Sequence, residues 1–293
     1  MQKQSLPRNL WCSLTPIFAY SLCQLVMIIF GVSIVFIYNL IYEISNKSSI
    51  WQMYIGGTIF SITPMLADIM YYVNVRQDWK NYEAHQPRYV HKARTLNLGI
   101  CVFFTYIGLN ILIWSFLYLS GLTDKLASDK YSFNSMLYGN PILYFVASVL
   151  VGPIMEELCL RGFVFNRLMS WLKPGIALFI QAIIFGVLHL DPLHILAASI
   201  AGLALGLLYL RYKKLWPCII GHMAFNLVGF SHEFAQIMQI KITPVPVLVI
   251  GMALTVIGGF FLLKQPASVP LFDSSKRVFT HINYQPLSVS SGK

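Results

Sequence analysis

Pro141-Ile142-Leu143-Tyr144-Phe145-Val146-Ala147-Ser148-Val149-Leu150-Val151-Gly152-Pro153-Ile154-Met155 is an uncharged run that leads straight into Glu156-Glu157-Leu158-Cys159-Leu160-Arg161-Gly162. The first stretch reads as a membrane-spanning helix, so the second puts three ionisable groups at a depth that a bilayer fills with hydrocarbon. Charge there is costly, rare and a pointer to function. Two adjacent carboxylates cannot both stay ionised in such a place without a partner. Arg161 follows Glu157 by four residues, so a helix stacks the two on one face with the acid on the favourable N-terminal side. Glu156 points about 100° away and lacks that partner. The pattern predicts one structural carboxylate, Glu157, and one available for chemistry, Glu156.

The rest of the chain suits a membrane. Its 293 residues are 57% hydrophobic and 11% charged, with a mean hydropathy of +0.65, well outside the range of soluble domains. Hydropathy predicts an all-α, polytopic bundle of about eight transmembrane helices. They lie near Ile17–Tyr42, Ile50–Val73, Leu98–Ser120, Ile142–Phe165, Ile176–Leu190, Ile195–Leu210, Trp216–Phe230 and Val245–Leu263. The net charge of +10 records topology. With the N-terminus inside, seventeen basic residues fall on the cytoplasmic side, Arg161 assigned to its nearest loop, and only Lys47, Lys125, Lys130 and Lys241 fall outside. That is the positive-inside pattern for an even number of spans with both termini cytoplasmic. No basic domain remains to bind nucleic acid. Cys12, Cys23, Cys101, Cys159 and Cys218 are scattered, with neither metal-type spacing nor a disulfide framework.

Four regions follow: a three-span scaffold over 1–138, a core over 139–232, a last span within 233–269 and a cytoplasmic tail over 270–293. The first span is too long, and lacks the cleavage site, for a removable signal peptide. The segment Asn74–Asn97 is expected to be a basic cytoplasmic loop, and Leu122–Asn140 a polar external one. Asp68 is the one acid inside the early spans, expected either to hydrogen-bond a neighbouring helix or to face water near a helix end. Gly202 and Gly206 let helices approach closely.

Three more polar residues stand in the core. His189 closes Phe185-Gly186-Val187-Leu188-His189, and Gly221-His222-Met223-Ala224-Phe225-Asn226 sets His222 and Asn226 four residues apart, on one helix face. Lipid satisfies none of these groups, so they must find one another or water. Glu156, His189, His222 and Asn226 are expected to line one water-accessible cavity toward the cytoplasmic half of the membrane.

Glu-Glu-x-x-x-Arg, Phe-x-x-x-His and His-x-x-x-Asn, in this order within a membrane bundle, resemble the CPBP intramembrane proteases. These comprise the CAAX prenyl endopeptidases of the Ras-converting type and bacterial relatives linked to bacteriocin processing and self-immunity. The resemblance covers about Leu143 to Ser231. It implies that Glu156 activates a water held jointly with His189, and that His222 and Asn226 donate to the tetrahedral oxyanion. It also implies that Glu157 and Arg161 fix the helix geometry and that Phe185 shapes the pocket wall. No cofactor is needed on this reading. The rival is zinc held by Glu156, His189 and His222, against which stand the missing His-Glu-x-x-His helix and the oxyanion donor that Asn226 supplies.

Two other functions fit the same pattern. One is a non-catalytic membrane protein of the same fold, acting in bacteriocin immunity or beside a sensor kinase. The other is a proton-coupled transporter, which the missing internal symmetry disfavours. The expected partners are the lipid bilayer and a peptide or protein substrate, prenylated or not, with no nucleic acid. The expected location is a bacterial cell membrane.

Overall fold

The structure, a computed structural model, describes residues 6–45, 49–85, 95–126, 139–237 and 243–267. Among these residues the chain forms no strand, a short helix at Leu122–Leu126 and eight main helical rods. They are α1 (Leu6–Ser45), α2 (Ser49–His85), α3 (Thr95–Leu119) and α4 (Pro141–Met169), then α5 (Pro174–Val187), α6 (Pro192–Tyr212), α7 (Leu215–Ile237) and α8 (Pro244–Lys264). Each expected span falls on one rod, and the fold is a helical membrane bundle. By length and composition, α1, α3, α4, α6 and α8 can cross a bilayer, while α5 and α7 are shorter apolar helices. Asp68, Thr58, Thr63 and Pro64 dilute α2, which does not reach that standard. Of the eight expected spans, five described rods qualify on this measure.

One boundary differs from the sequence expectation. The cytoplasmic loop was expected from Asn74, but α2 continues to His85, because Gln77-Asp78-Trp79-Lys80-Asn81 holds no Gly or Pro to stop it. The tail and most of the Leu122–Asn140 loop lie outside the described residues, as do Lys47, Lys130 and Lys241. At Asn140 the chain turns into α4. The Asn140 side chain accepts from the N–H groups of Ile142 and Leu143, and Pro141 fills the first turn.

Small residues set the packing. A Cβ on Gly108 would lie 2.5 Å from the Thr255 nitrogen, so α3 and α8 touch backbone to backbone. A Cβ on Gly186 would lie 2.5 Å from the Ile195 carbonyl, and one on Gly202 3.2 Å from Ala182 Cα, which draws α5 onto α6. Such contacts suit lipid, where close backbone approach replaces hydrophobic drive. The core holds Tyr106, Leu160, Phe165, Phe185, Leu205 and Tyr212, and α4 is threaded through it. Every residue from Leu158 to Phe165 is buried.

Candidate active site

The helix α4 carries both acids and is not a uniform α-helix. Val146–Val151 and Leu158–Phe165 are π-helical, with Gly152–Glu157 between them as α-helix. Such wide turns are rare and concentrate at functional sites. Pro153 opens the α-helical piece, where a missing N–H is tolerated. By hydropathy the whole stretch is one apolar span, and neither wide turn carries a signal in it.

The two acids part ways. Glu157 and Arg161 are both 0% exposed, and Arg161 Nη1 donates to Glu157 Oε1 at 2.7 Å. Arg161 Nη2 also donates to the Gly202 carbonyl at 3.2 Å, and the guanidinium lies 4.8 Å from the Phe185 ring centre. Arg161 is therefore an interior charge and drops out of the cytoplasmic count. Glu156 is 26% exposed and approaches His222 Nε2 at 3.8 Å through Oε2. This is beyond a hydrogen bond and within the reach of one bridging water.

His222 joins the two acids. Its Nδ1 lies 2.9 Å from Glu157 Oε1. Glu157, ion-paired to Arg161, can only accept, so the Nδ1 atom carries hydrogen. The opposite nitrogen faces Glu156, as a lone pair in the neutral ring and as a donor in the imidazolium. His189 is fixed by the same logic, since its Nδ1 donates to the Phe185 carbonyl at 2.9 Å and leaves Nε2 outward. The Phe185 ring packs edge-on against both histidines, with centres 5.0 Å from His189 and 5.4 Å from His222. One aromatic ring thus touches three site side chains.

His189 stands on the turn after α5, where its N–H bonds the Gly186 carbonyl. Leu190 next to it has φ 62°, a left-handed conformation that is costly for a branched residue. Asp191 then caps α6 through the N–H groups of Leu193 and His194. Asn226 on α7 donates from Nδ2 to the Ser148 carbonyl at 2.9 Å, while Asn110 of α3 holds the adjacent Phe225 carbonyl at 2.9 Å.

The sequence reading passed over Asn110, Gln181 and Ser148. Gln181 is fully buried and shares the Gly202 carbonyl with Arg161, at 2.9 Å. A lone amide in an apolar span was the available signal for Asn110 and Gln181. Asp68 is 2% exposed and accepts from Gln24 Nε2 at 2.9 Å, the neighbouring-helix alternative. A cavity of about 260 Å³ lies between α1 and α5, lined by Leu14, Ile17, Phe18, Ile183, Ile184, Val187 and Leu188. None of the four expected site residues lines it. For a metal, Glu156, His189 and His222 would be the ligands. Among the described residues no three His, Cys, Asp or Glu side chains come together as a metal-holding set.

Two acids, a histidine and an arginine thus cluster inside a polytopic helical membrane bundle. The comparisons narrow that class. Residues 138–228 match the family described as type II CAAX prenyl endopeptidase Rce1-like. Over 101 residues the chain is 34% identical to a Bacillus subtilis (strain 168) protein named "Putative membrane peptidase YdiL", covering 34% of this chain and 38% of that one. No solved structure matches the chain to a significant degree. The matched segment is thus similar to a family of membrane endopeptidases over about a third of the chain, and the chain spans well under half the length of the relative it matches.

Proposed function

We propose that the chain is an intramembrane endopeptidase that hydrolyses a peptide bond of a membrane-associated substrate with a water activated by Glu156. The observation that carries this reading is the bridge made by His222, with Nδ1 on the buried Glu157–Arg161 pair and Nε2 facing Glu156 at 3.8 Å. Glu156 is the one member of the acid pair without a guanidinium partner, so it can take a proton.

The steps balance in atoms and protons. The water oxygen bonds to the scissile carbonyl carbon while its proton passes to Glu156. His189, with Nε2 outward, accepts from that water and holds it. The oxyanion receives hydrogen bonds from the second Asn226 amide hydrogen and from His222 in its imidazolium form. With His222 protonated, Glu156, Glu157, Arg161 and His222 sum to zero charge. Once Glu156 has taken the water proton the four sum to +1, which the single negative charge of the oxyanion cancels. A neutral total is what a low-dielectric site requires. Glu156 then gives its proton to the leaving amine as the C–N bond breaks.

The family resemblance supports a prenylated CAAX-type protein or a leader peptide as substrate. The test incubates full-length protein in lipid nanodiscs with a library of membrane-anchored peptides, prenylated and not, alongside Glu156→Gln. Cleavage that is lost in the variant and survives a zinc chelator is the expected result. Equal products from both proteins would sink the glutamate reading, and loss with chelator alone would replace it with the metal one. No cleavage by a folded wild type would favour a binding or regulatory protein of this fold.

A further inference from the structure

Pro153 stands three residues before Glu156 and has no N–H to donate. One residue earlier, the Gly152 N–H bonds the Ala147 carbonyl, five residues back, in the pattern of the first π stretch. One step on, that pattern calls for an N–H at position 153 to meet the Ser148 carbonyl. Proline cannot supply it. A carbonyl turned away from water needs a partner, and the donor that reaches the part-buried Ser148 oxygen is Asn226 Nδ2, 78 residues away in sequence, at 2.9 Å. The second π stretch is finished in the same way. There the Asn166 side-chain amide takes the Arg161 carbonyl at 2.7 Å and the Gly162 carbonyl at 3.0 Å.

We propose that Pro153 is a positioning residue for Asn226: by withholding an N–H it reserves the Ser148 carbonyl as the anchor that orients the Asn226 amide. An amide has two N–H groups in one plane. Anchoring one on Ser148 fixes the plane and leaves the second free to point at a reacting oxygen. The anchored turn also carries the acid, because a Cβ on Gly152 would lie 3.7 Å from Glu156 Oε1. Base and oxyanion donor are thereby referenced to a single turn of α4. The role in catalysis rests on the peptidase reading above; the anchor itself does not.

The test is Pro153→Ala, which supplies the missing N–H in a good helix former; Pro153→Leu serves where the alanine variant is not recovered. Protein in lipid, labelled with ¹³C at serine carbonyls and ¹⁵N at asparagine side chains, is measured for carbonyl-to-amide proximity by solid-state NMR. Ser148→Ala keeps the carbonyl and removes its label, which assigns the signal. The expected result is a contact present in wild type and lost in Pro153→Ala, whatever the activity. With a peptide that wild type cleaves, kcat falls about threefold to tenfold, the range of one net hydrogen bond, with KM unchanged. Adding Pro153→Ala to Asn226→Ala then costs nothing further, as expected of two changes to one device. A contact that persists in Pro153→Ala overturns the proposal, as does a kcat loss that adds in full to that of Asn226→Ala. If no peptide is cleaved, the peptidase reading fails on its own and the NMR contact still decides the anchor.

Discussion

Replacing Arg161 by Gln isolates what the buried charge contributes. The substitution removes the 2.7 Å ion pair with Glu157, the 3.2 Å bond to the Gly202 carbonyl and the contact with the Phe185 ring. It leaves Glu157, at 0% exposure, charged in a low-dielectric core with only His222 to compensate it. Breaking a buried pair from one side costs about 3–5 kcal/mol, mostly the price of the stranded charge. Arg161→Gln is therefore expected to lose about that much against wild type. Glu157→Gln strands the guanidinium and costs a similar amount. The double variant strands nothing, and two amides can hydrogen-bond across the same gap. Its loss should fall short of the sum of the singles by about 2 kcal/mol or more, within the range measured for coupled neighbours. The assay is equilibrium unfolding of the full chain in mixed micelles, with all three variants beside wild type. An Arg161→Gln variant within about 1 kcal/mol of wild type would refute the reasoning. So would losses from the two singles that simply add, since coupling is what the buried geometry demands.

Two further outcomes are expected. Leu190 is 84% exposed with φ 62°, so Leu190→Gly removes a left-handed penalty of about 1–2 kcal/mol, offset in part by the added freedom of glycine when unfolded; thermal unfolding should shift upward, and a downward shift would show that the Leu190 side chain holds the His189 turn. Lys213 ends α6 at φ 51° outside the spans, and burial pushes its ammonium down to about 8. Because the folded value lies below the ordinary lysine value of about 10.4, the unfolded chain binds more protons between the two, so stability should rise with pH across that window. Lys213→Met should flatten that rise, and an unchanged slope would assign it to another group.

The parts of the site that were legible in the sequence are those fixed by local spacing. Glu157 and Arg161 are one helical turn apart, and a single turn of either helix type keeps them on one face. His222 could be named from its polarity inside an apolar span, but its bond to Glu157 joins residues 65 apart, and no local rule sets that register. Asp68 was narrowed to two environments, and Gln24 on α1, 44 residues away, decided between them. His189 was expected at a helix end, yet the break after it comes from Asp191 capping α6 and Leu190 turning left-handed. The π stretches were wholly hidden. Widening a turn changes which carbonyl meets which N–H and leaves the hydropathy of the stretch untouched.

Glu156 and Glu157 are neighbours on the α-helical piece between the two wide turns. One imidazole faces both: Arg161 pairs with Glu157, Glu157 accepts from His222 Nδ1, and the opposite ring nitrogen faces Glu156. A change at Arg161 therefore reaches Glu156 through two intermediates without touching it. Loss of activity on altering Arg161 or Glu157 is expected from this chain of constraints and does not make either residue a base. Of the two acids, Glu156 is the one with exposure to water and without a guanidinium partner, which is why the proposed proton transfer is assigned to it.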